Sequence, residues 1–445
     1  MKDISIKVKS LDSPGDLKPY LEKDYGVAQK IISDVGSIVE EVRLKGDEAL
    51  IRYSREFDGY DPEDMGQLTV DRREVDEAAM RAEKNMPALI DAIKASRKNI
   101  EKYHTMQLKS QKNSWMFEAG PGKELGQRSI ALQRVGLYIP GGRYVYPSTV
   151  LMTAIPAIIA GVDEIIICSP PGIDGKLNDV LMYLCRYLGI SEIYKIGGAQ
   201  AIAAMAYGTG TIKRVDKIAG PGSIYVILAK KVVYGTVGID SLAGPSDITI
   251  IADDRARADF ISLDLVAQAE HDPLSRSILL AGSLKKAKEV IGSIDKYMKE
   301  FGRDSRQKNN FEAAVRSLND NCIIFYSDDM DLLVEASNII APEHLEIMAA
   351  DHEYILKGIK NAGAIFIGDY TPVAVGDYIG GTNHVIPTGG NARFASSLGV
   401  NDFLKKSSIC FYSRDALKKE RKYIASMADF EGLYAHRDSV NKRFK

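Results

Sequence analysis

Residues 192–208 read EIYKIGGAQAIAAMAYG, and the change of character inside them decides the fold. The first part is a short strand-forming run, the Gly197-Gly198 pair is a turn, and the alanine-rich remainder is a helix. A strand that passes through a glycine turn into a helix is the first half of a βαβ unit. The pattern repeats outward from about residue 130. Further strand candidates are RVGLYIP (134–140), EIIICSP (164–170), SDITIIAD (246–253), SILLAG (277–282), NCIIFYS (321–327), GAIFIGD (363–369) and SSICFYS (407–413). Between them lie helix-like segments such as STVLMTAIPAIIAGV (148–162) and IYVILAKKVVYG (224–235). Strands alternating with helices imply parallel sheets covered on both faces, with ligands bound where strands run out into Gly-rich turns.

The ends read differently. Residues 1 to about 110 are mostly helical, with amphipathic, charge-rich stretches such as 34–59, and 73–104 form one long helix or two abutting ones. The tail from about 414 is helical and mildly basic, and its charge run reads as a solvated face. A chain of 445 residues exceeds one compact core, so two or more domains are expected. A net charge of −2 with no basic arm argues against a nucleic-acid binder. The start, MKDISIKVKSLD, lacks the apolar stretch of a signal peptide, and the apolar runs are broken before a membrane-spanning length. Cys168, Cys185, Cys322 and Cys410 form no Cys-x-x-Cys pair; they are expected to be buried free thiols of a cytoplasmic protein.

Three glycine clusters follow strands: Pro140-Gly141-Gly142, Gly197-Gly198-Ala199-Gln200 and Gly220-Pro221-Gly222-Ser223. Two open helices, where free N–H groups and the helix dipole favour a phosphate. None spells G-x-G-x-x-G or a Walker loop, so each alone reads first as a structural turn; three within about 85 residues suggest a dinucleotide-binding half of unorthodox sequence.

Four of the six histidines sit in Gly- or Pro-punctuated stretches beside carboxylates or amides: QAEHDP (268–273), APEHLE (341–346), GDYIGGTNH (376–384) and EGLYAH (431–436). Gln268 and His271 are spaced i, i+3, so on a helix they share a side and could share a cation; a helix C-terminus with a dipole-favouring His271 is the other reading. Glu343 and His344 are adjacent, which suits two separate proton-handling jobs; with Pro342 starting a helix, Glu343 could instead be a capping carboxylate. The loop 368–390 carries Asp369, Asp377 and His384. In the tail, Glu431 and His436 are five apart and do not share a helical face. A set of Gln, His, Asp and His donors offers two nitrogens and two oxygens, which suits zinc and suits calcium or magnesium poorly.

Together these motifs resemble the histidinol dehydrogenase family, over most of the chain from about residue 20 to the tail. The resemblance is dense from VGLYIPGG (135–142) through LMTAIPA, GGAQAIAA, AGPSD, QAEHDP and APEHLE to GGTNHVIPTGGNARFASSLGVNDFLKKSS (380–408). It implies an α/β fold of two intertwined, incomplete Rossmann-like domains with parallel sheets, plus helical terminal segments that form a homodimer. The expected units are an N-terminal helical segment 1–32, a discontinuous domain of 33–137 and 247–395, an inserted NAD-binding domain 138–246, and a tail 396–445 that contributes to the partner's site. It implies one zinc ion per subunit, bound by Gln268, His271, Asp377 and the partner subunit's His436. Catalysis falls on Glu343 and His344. Substrate contacts fall on Ser246, Gln268, His271, His344, Asp377, His384, Glu431 and His436, and NAD contacts on Tyr138, Gln200 and Ser223. Ser223 departs from the family's usual G-P-G-N, which puts cofactor affinity in question, and Tyr144 stands where a small residue is common. The implied reaction is the four-electron oxidation of L-histidinol to L-histidine through a bound aldehyde, with no nucleic-acid or membrane partner. The competing readings are a zinc- and NAD-dependent dehydrogenase of another small polar alcohol, a zinc hydrolase using Glu343 as base, and a metal-binding structural protein.

Overall fold

The computed structural model describes residues 4–21, 29–111, 114–141, 146–242 and 244–444; Gly142 and Tyr144 lie outside them. In chain order the strands are β1 (Lys7–Ser10), β2 (Trp115–Gly120), β3 (Lys123–Ala131), β4 (Arg134–Tyr138), β5 (Glu164–Cys168), β6 (Glu192–Tyr194), β7 (Lys217–Ala219), β8 (Gly238–Ile239), β9 (Asp247–Ala252), β10 (Arg276–Ala281), β11 (Cys322–Tyr326), β12 (His344–Met348), β13 (Ala364–Ile367) and β14 (Leu404–Tyr412). They form a parallel five-stranded sheet, β6-β5-β4-β7-β8, and a parallel six-stranded sheet, β1-β11-β10-β9-β12-β13. A third sheet, β14-β3-β2, is antiparallel. The chain lays down one edge strand of the six-stranded sheet, builds the whole five-stranded sheet, and returns to finish the first. The two α/β halves are therefore intertwined.

Burial explains why these runs became strands. β9, β12 and all but the first residue of β10 are buried, as continuous apolar strands of doubly covered parallel sheets should be. β4 shows the alternation directly. Val135 and Leu137 pack on one face with Val75, Ile90 and Ile100. Tyr138, from the opposite face, packs with Val35, Val39 and Val42. The helices between Gln29 and Lys109 thus cover both faces of the five-stranded sheet. Their packing groups 33–109 with 138–246, whereas the sequence grouped 33–137 with 247–395. Residues 73–104 resolve into two abutting helices, Arg72–Asn85 and Pro87–Lys109, divided where Pro87 cannot donate to a continuing helix.

Four local expectations are corrected. The N-terminal segment contains a strand, because Lys7–Ser10 pairs in parallel with β11. SSICFYS lies in the antiparallel sheet opposite β3, and its exposed Lys and Ser positions suit a sheet open to solvent. Pro342 starts no helix: Ala341, at φ 51, ends the helix Met330–Ile340, and the chain enters β12 directly. Cys168, Cys185 and Cys322 are buried free thiols, but Cys410 is exposed on β14.

Phe325, at the heart of β11, is fully buried and meets Tyr20 edge-on at 5.5 Å. Phe325→Ala should cost about 3–5 kcal/mol through lost transfer energy and the cavity left behind. Differential scanning calorimetry should register it as a clear drop in Tm; an unchanged Tm would show that the six-stranded core is not packed this way.

Candidate active site

Two short segments meet at the beginnings of β9 and β12. Ser246 and Asp247 open one strand, Glu343 and His344 the other, and the register sets His344 beside Ile248. Asp247 N–H donates to Glu343 Oε2 at 2.9 Å, and Glu343 N–H donates to an Asp247 carboxylate oxygen at 2.9 Å. This reciprocal pair fixes both backbones. His344 Nδ1 lies 3.0 Å from the Asp247 carbonyl oxygen. A carbonyl only accepts, so Nδ1 carries the ring proton and Nε2 holds the free lone pair. Nε2 is buried and has no hydrogen-bond partner among the described residues. A bare, buried imidazole nitrogen is the arrangement a general base requires.

His384 repeats the device. Its Nδ1 faces the Asp377 carbonyl oxygen at 3.3 Å, which leaves Nε2 basic. Burial foremost, with His271 nearby adding to it, pushes His344 and His384 each down to about 4. The carboxyls move the opposite way. Burial, with Asp247 and Asp377 as negative neighbours, raises Glu343 well above the carboxylate range. Burial alone raises Asp377 to about 6.

The remaining expected residues divide into those brought to this cluster and those held apart. Gln268 is buried in the last turn of the helix Ala258–Ala269, and His271 follows just past its end, on the solvent side. Asp377 lies on a short helix, Val373–Tyr378, inside what the sequence presented as loop. Ser246 hydrogen-bonds the Glu343 carboxyl. Glu431 and His436, by contrast, are exposed on the tail, between and on the helices Arg414–Phe430 and Tyr434–Asn441. Among the described residues, no group of three His, Cys, Asp or Glu side chains could hold a metal. The expected donors His271, Asp377 and Gln268 would therefore make an incomplete set within one chain. They nevertheless fit a cation: desolvation raises the Asp377 carboxyl with no cationic neighbour among the described residues, and it lowers His271, exposed though that residue is, which favours the ligating neutral imidazole.

The residues expected to contact a cofactor lie at the carboxyl edge of the other sheet. Tyr138 ends β4, and its hydroxyl accepts from Gly198 N–H, the first amide of the helix Gly198–Tyr207, at 3.1 Å. Gln200, in that helix's first turn, is buried with no partner for Nε2 among the described residues, a free donor that fits a polar ligand. Ser223 is the exposed N-cap of the helix Ile224–Val233, and its hydroxyl makes no capping bond. A cleft of about 230 Å³ joins the halves, with Gly220, Pro221 and Gly222 on one side and Ser246, Glu343 and His384 on the other. Glu343 and His344 therefore stand at strand beginnings, whereas the sequence pointed to the ends where strands run out into Gly-rich turns. The carboxyl edge of one sheet faces the amino edge of the other.

Three contributors escaped the sequence reading. Asp247 was quoted within AGPSD but not singled out, although an acid opening an apolar strand must find partners when buried. Lys230 and Asp240, which also line the cleft, were missed too. Lys230 falls at i+4 from Val226 and i−3 from Val233 on a buried helix face, which was the available signal.

A family model described as histidinol dehydrogenase matches residues 22–444. Among the similar proteins are histidinol dehydrogenases of Prochlorococcus marinus (strain MIT 9312), 44% identical and covering 94% of this chain and 91% of the relative, and of Bacillus subtilis (strain 168), 42% identical and covering 98% and 99%. The crystal structure of histidinol dehydrogenase from Elizabethkingia anophelis superposes with a TM-score of 0.91 at 32% identity, covering 100% of this chain and 99% of that one.

The depressed imidazoles set a pH window. Histidine in an unfolded chain titrates near ~6.5, whereas His344 and His384 hold out to about 4. Their contribution to stability is complete above pH ~6.5 and is lost as pH falls from there through 4. Asp377 runs oppositely, since a raised carboxyl sheds stability as pH rises through about 6. Nitrogen-15 NMR of the histidine rings in metal-free protein should find His344 neutral at pH 5.5; a ring already charged above pH 6 would contradict the buried geometry.

Proposed function

Because the chain belongs to the histidinol dehydrogenase family, we propose that it oxidises L-histidinol to L-histidine with two NAD⁺ and one water, through an L-histidinaldehyde that stays bound. The observation that carries this reading is the unpartnered His344 Nε2 beside Glu343, opposite the Gly220 turn across one cleft. An alcohol oxidation and an aldehyde hydration each need a proton acceptor, and the pair offers two of different kind.

His344 Nε2 takes the alcohol proton as the carbon gives up its hydride. Its Nδ1–H, anchored on the Asp247 carbonyl, keeps the ring aimed and the tautomer fixed. Glu343, in its carboxylate form, takes a proton from the water that hydrates the aldehyde. His344 then accepts the hydrate's proton in the second oxidation. Zinc would be held by Gln268, His271, Asp377 and the partner subunit's His436, and when bound it supplies a Lewis-acid template for the substrate's nitrogens while NAD⁺ supplies the hydride acceptor. Ser246, His384 and Glu431 complete the substrate contacts, with Glu431 binding the substrate's polar end. Tyr138, Gln200 and Ser223 would border the dinucleotide.

The shared site requires a homodimer. Two features support it. The cis donor set is incomplete, and the tail bearing Glu431 and His436 exposes Phe430 at 94% and Met427 at 67%, apolar surface that a second copy would cover. No described helix is long and apolar enough to cross a membrane. The unpaired thiols fit a reducing cytoplasm.

A spectroscopic count in the presence of zinc should give two NADH per histidinol consumed; one would reduce the protein to an ordinary alcohol dehydrogenase. Glu343→Gln keeps an acceptor for Asp247 N–H, so it should spare aldehyde formation while slowing the aldehyde's conversion at least ~100-fold, in line with loss of a general base. Equal losses in both steps would refute the division of labour. His436→Ala should lower bound zinc, measured by mass spectrometry of the purified protein, and retention of full zinc and activity would remove the cross-subunit ligand.

A further inference from the structure

The Gly220-Pro221-Gly222 turn is held by an ion pair that the reaction itself does not use. Lys230, on the helix Ile224–Val233, and Asp240, just after β8, meet at 2.6 Å with both side chains only 4% exposed. Between them they grip both polar groups of one peptide residue. Lys230 Nζ donates to the Gly220 carbonyl oxygen at 2.5 Å, and Gly220 N–H donates to Asp240 Oδ2 at 2.7 Å. Gly220 stands at φ +120, and a Cβ there would sit 2.1 Å from the Tyr138 carbonyl oxygen. Its conformation is thus one that only glycine adopts, and it is locked from the side of the carbonyl and from the side of the amide.

A buried ion pair is a poor source of stability, because desolvation of both charges consumes most of their attraction. What this one delivers is orientation. With N–H and C=O both engaged, the Gly220 peptide cannot rotate to a competing turn geometry. Pro221 and Gly222 then face the cleft across from Ser246 and Glu343. Lys230 is itself neutralised by Asp240, and two of its three donor hydrogens are committed.

We propose that Lys230 and Asp240 are positioning residues for the nicotinamide cofactor, a clamp that presets the Gly220-Pro221-Gly222 turn in the shape that receives the dinucleotide. The proposal rests on the reading of this cleft as the NAD site. Preorganisation of this sort lowers the ordering cost of binding, so its loss appears as weaker cofactor affinity with the chemistry at saturation spared.

The test compares the full-length enzyme with Asp240→Asn, Lys230→Met and the double variant Lys230→Met/Asp240→Leu, which replaces the pair with apolar groups. NADH affinity is read by fluorescence titration, alongside KM and kcat for NAD⁺ and histidinol, and Tm. All three variants should bind NADH at least tenfold more weakly and raise KM for NAD⁺ by a like factor. kcat at saturating NAD⁺ should stay within threefold, with KM for histidinol unchanged. The double variant should melt within a few degrees of the wild type. Variants that bind NADH like the wild type would overturn the clamp alone. So would tighter binding by Asp240→Asn, which would make Lys230 a direct phosphate ligand, or a double variant that melts far below the wild type, which would make the pair merely structural. A wild type that binds no NADH would sink the cofactor reading and the clamp with it.

Discussion

The reciprocal bonding of Asp247 and Glu343 is the constraint on which the site depends. Two backbone N–H groups, on Asp247 at the start of β9 and on Glu343 just before β12, would otherwise lack a partner where the two strands begin. Each is satisfied by the other residue's carboxyl, at 2.9 Å in both directions. The same Asp247 supplies the carbonyl that aims His344. One pair of short segments therefore fixes a carboxyl, an imidazole and its tautomer at once, on rigid strands rather than on a loop. Because Asp247 is buried, removing its carboxyl would leave the Glu343 amide without a partner, while its backbone N–H and carbonyl would still hold the Glu343 carboxyl and His344 Nδ1.

The architecture follows from how the chain leaves one sheet and enters the next. After β8 ends at Ile239 only seven residues intervene before β9 begins at Asp247. The strand ends of the first sheet are thus delivered against the strand beginnings of the second, and the cleft between them is bordered by glycine turns on one side and by titratable side chains on the other. A cofactor-binding edge and an acid–base edge need opposite properties: close backbone approach with open amides for the first, buried polar groups of shifted proton affinity for the second. Joining sheets in opposite sense lets each edge satisfy its own requirement.

Much of this was legible in the residues, and the failures have physical causes. The parallel sheets were visible because buried strands are continuous apolar runs, as in EIIICSP and SDITIIAD, and Gly197-Gly198 and Gly220-Pro221-Gly222 marked the helix-opening turns. APEHLE misled because a proline is as good a helix opener as any local signal. What made it a strand was non-local: Glu343 and His344 are bonded to Asp247, 96 and 97 residues away. Packing of the helices 29–109 on the five-stranded sheet was invisible for the same reason, since an amphipathic pattern declares an apolar face but not its partner. Lys230 and Asp240 carry no motif of their own, and their burial against Gly220 is what marks them. Conversely, the histidine segments were read from their neighbours, and the fold brings His271, His344 and His384 within electrostatic reach of one another.

The direction of every shift in the cluster bears on how the site is completed. Glu343 and Asp377 are raised and His271, His344 and His384 are lowered, so burial holds all five groups toward their uncharged forms. Neutral imidazoles are what a metal or a base function needs, and here desolvation supplies them without cost to function. Neutral carboxyls are the opposite of what is needed, and a nearby divalent cation reverses their shift by favouring the anion. One added positive charge would therefore reconcile the imidazole shifts with the carboxyl shifts. The same logic extends to the tail. An exposed His436 beside exposed Phe430 and Met427 gains nothing from solvent. Burying that apolar surface on a second copy would carry an imidazole and the Glu431 carboxylate along with it. Hydrophobic association would then deliver the polar groups that the cis site lacks, so the stability of the assembly and the completeness of the site become one and the same equilibrium.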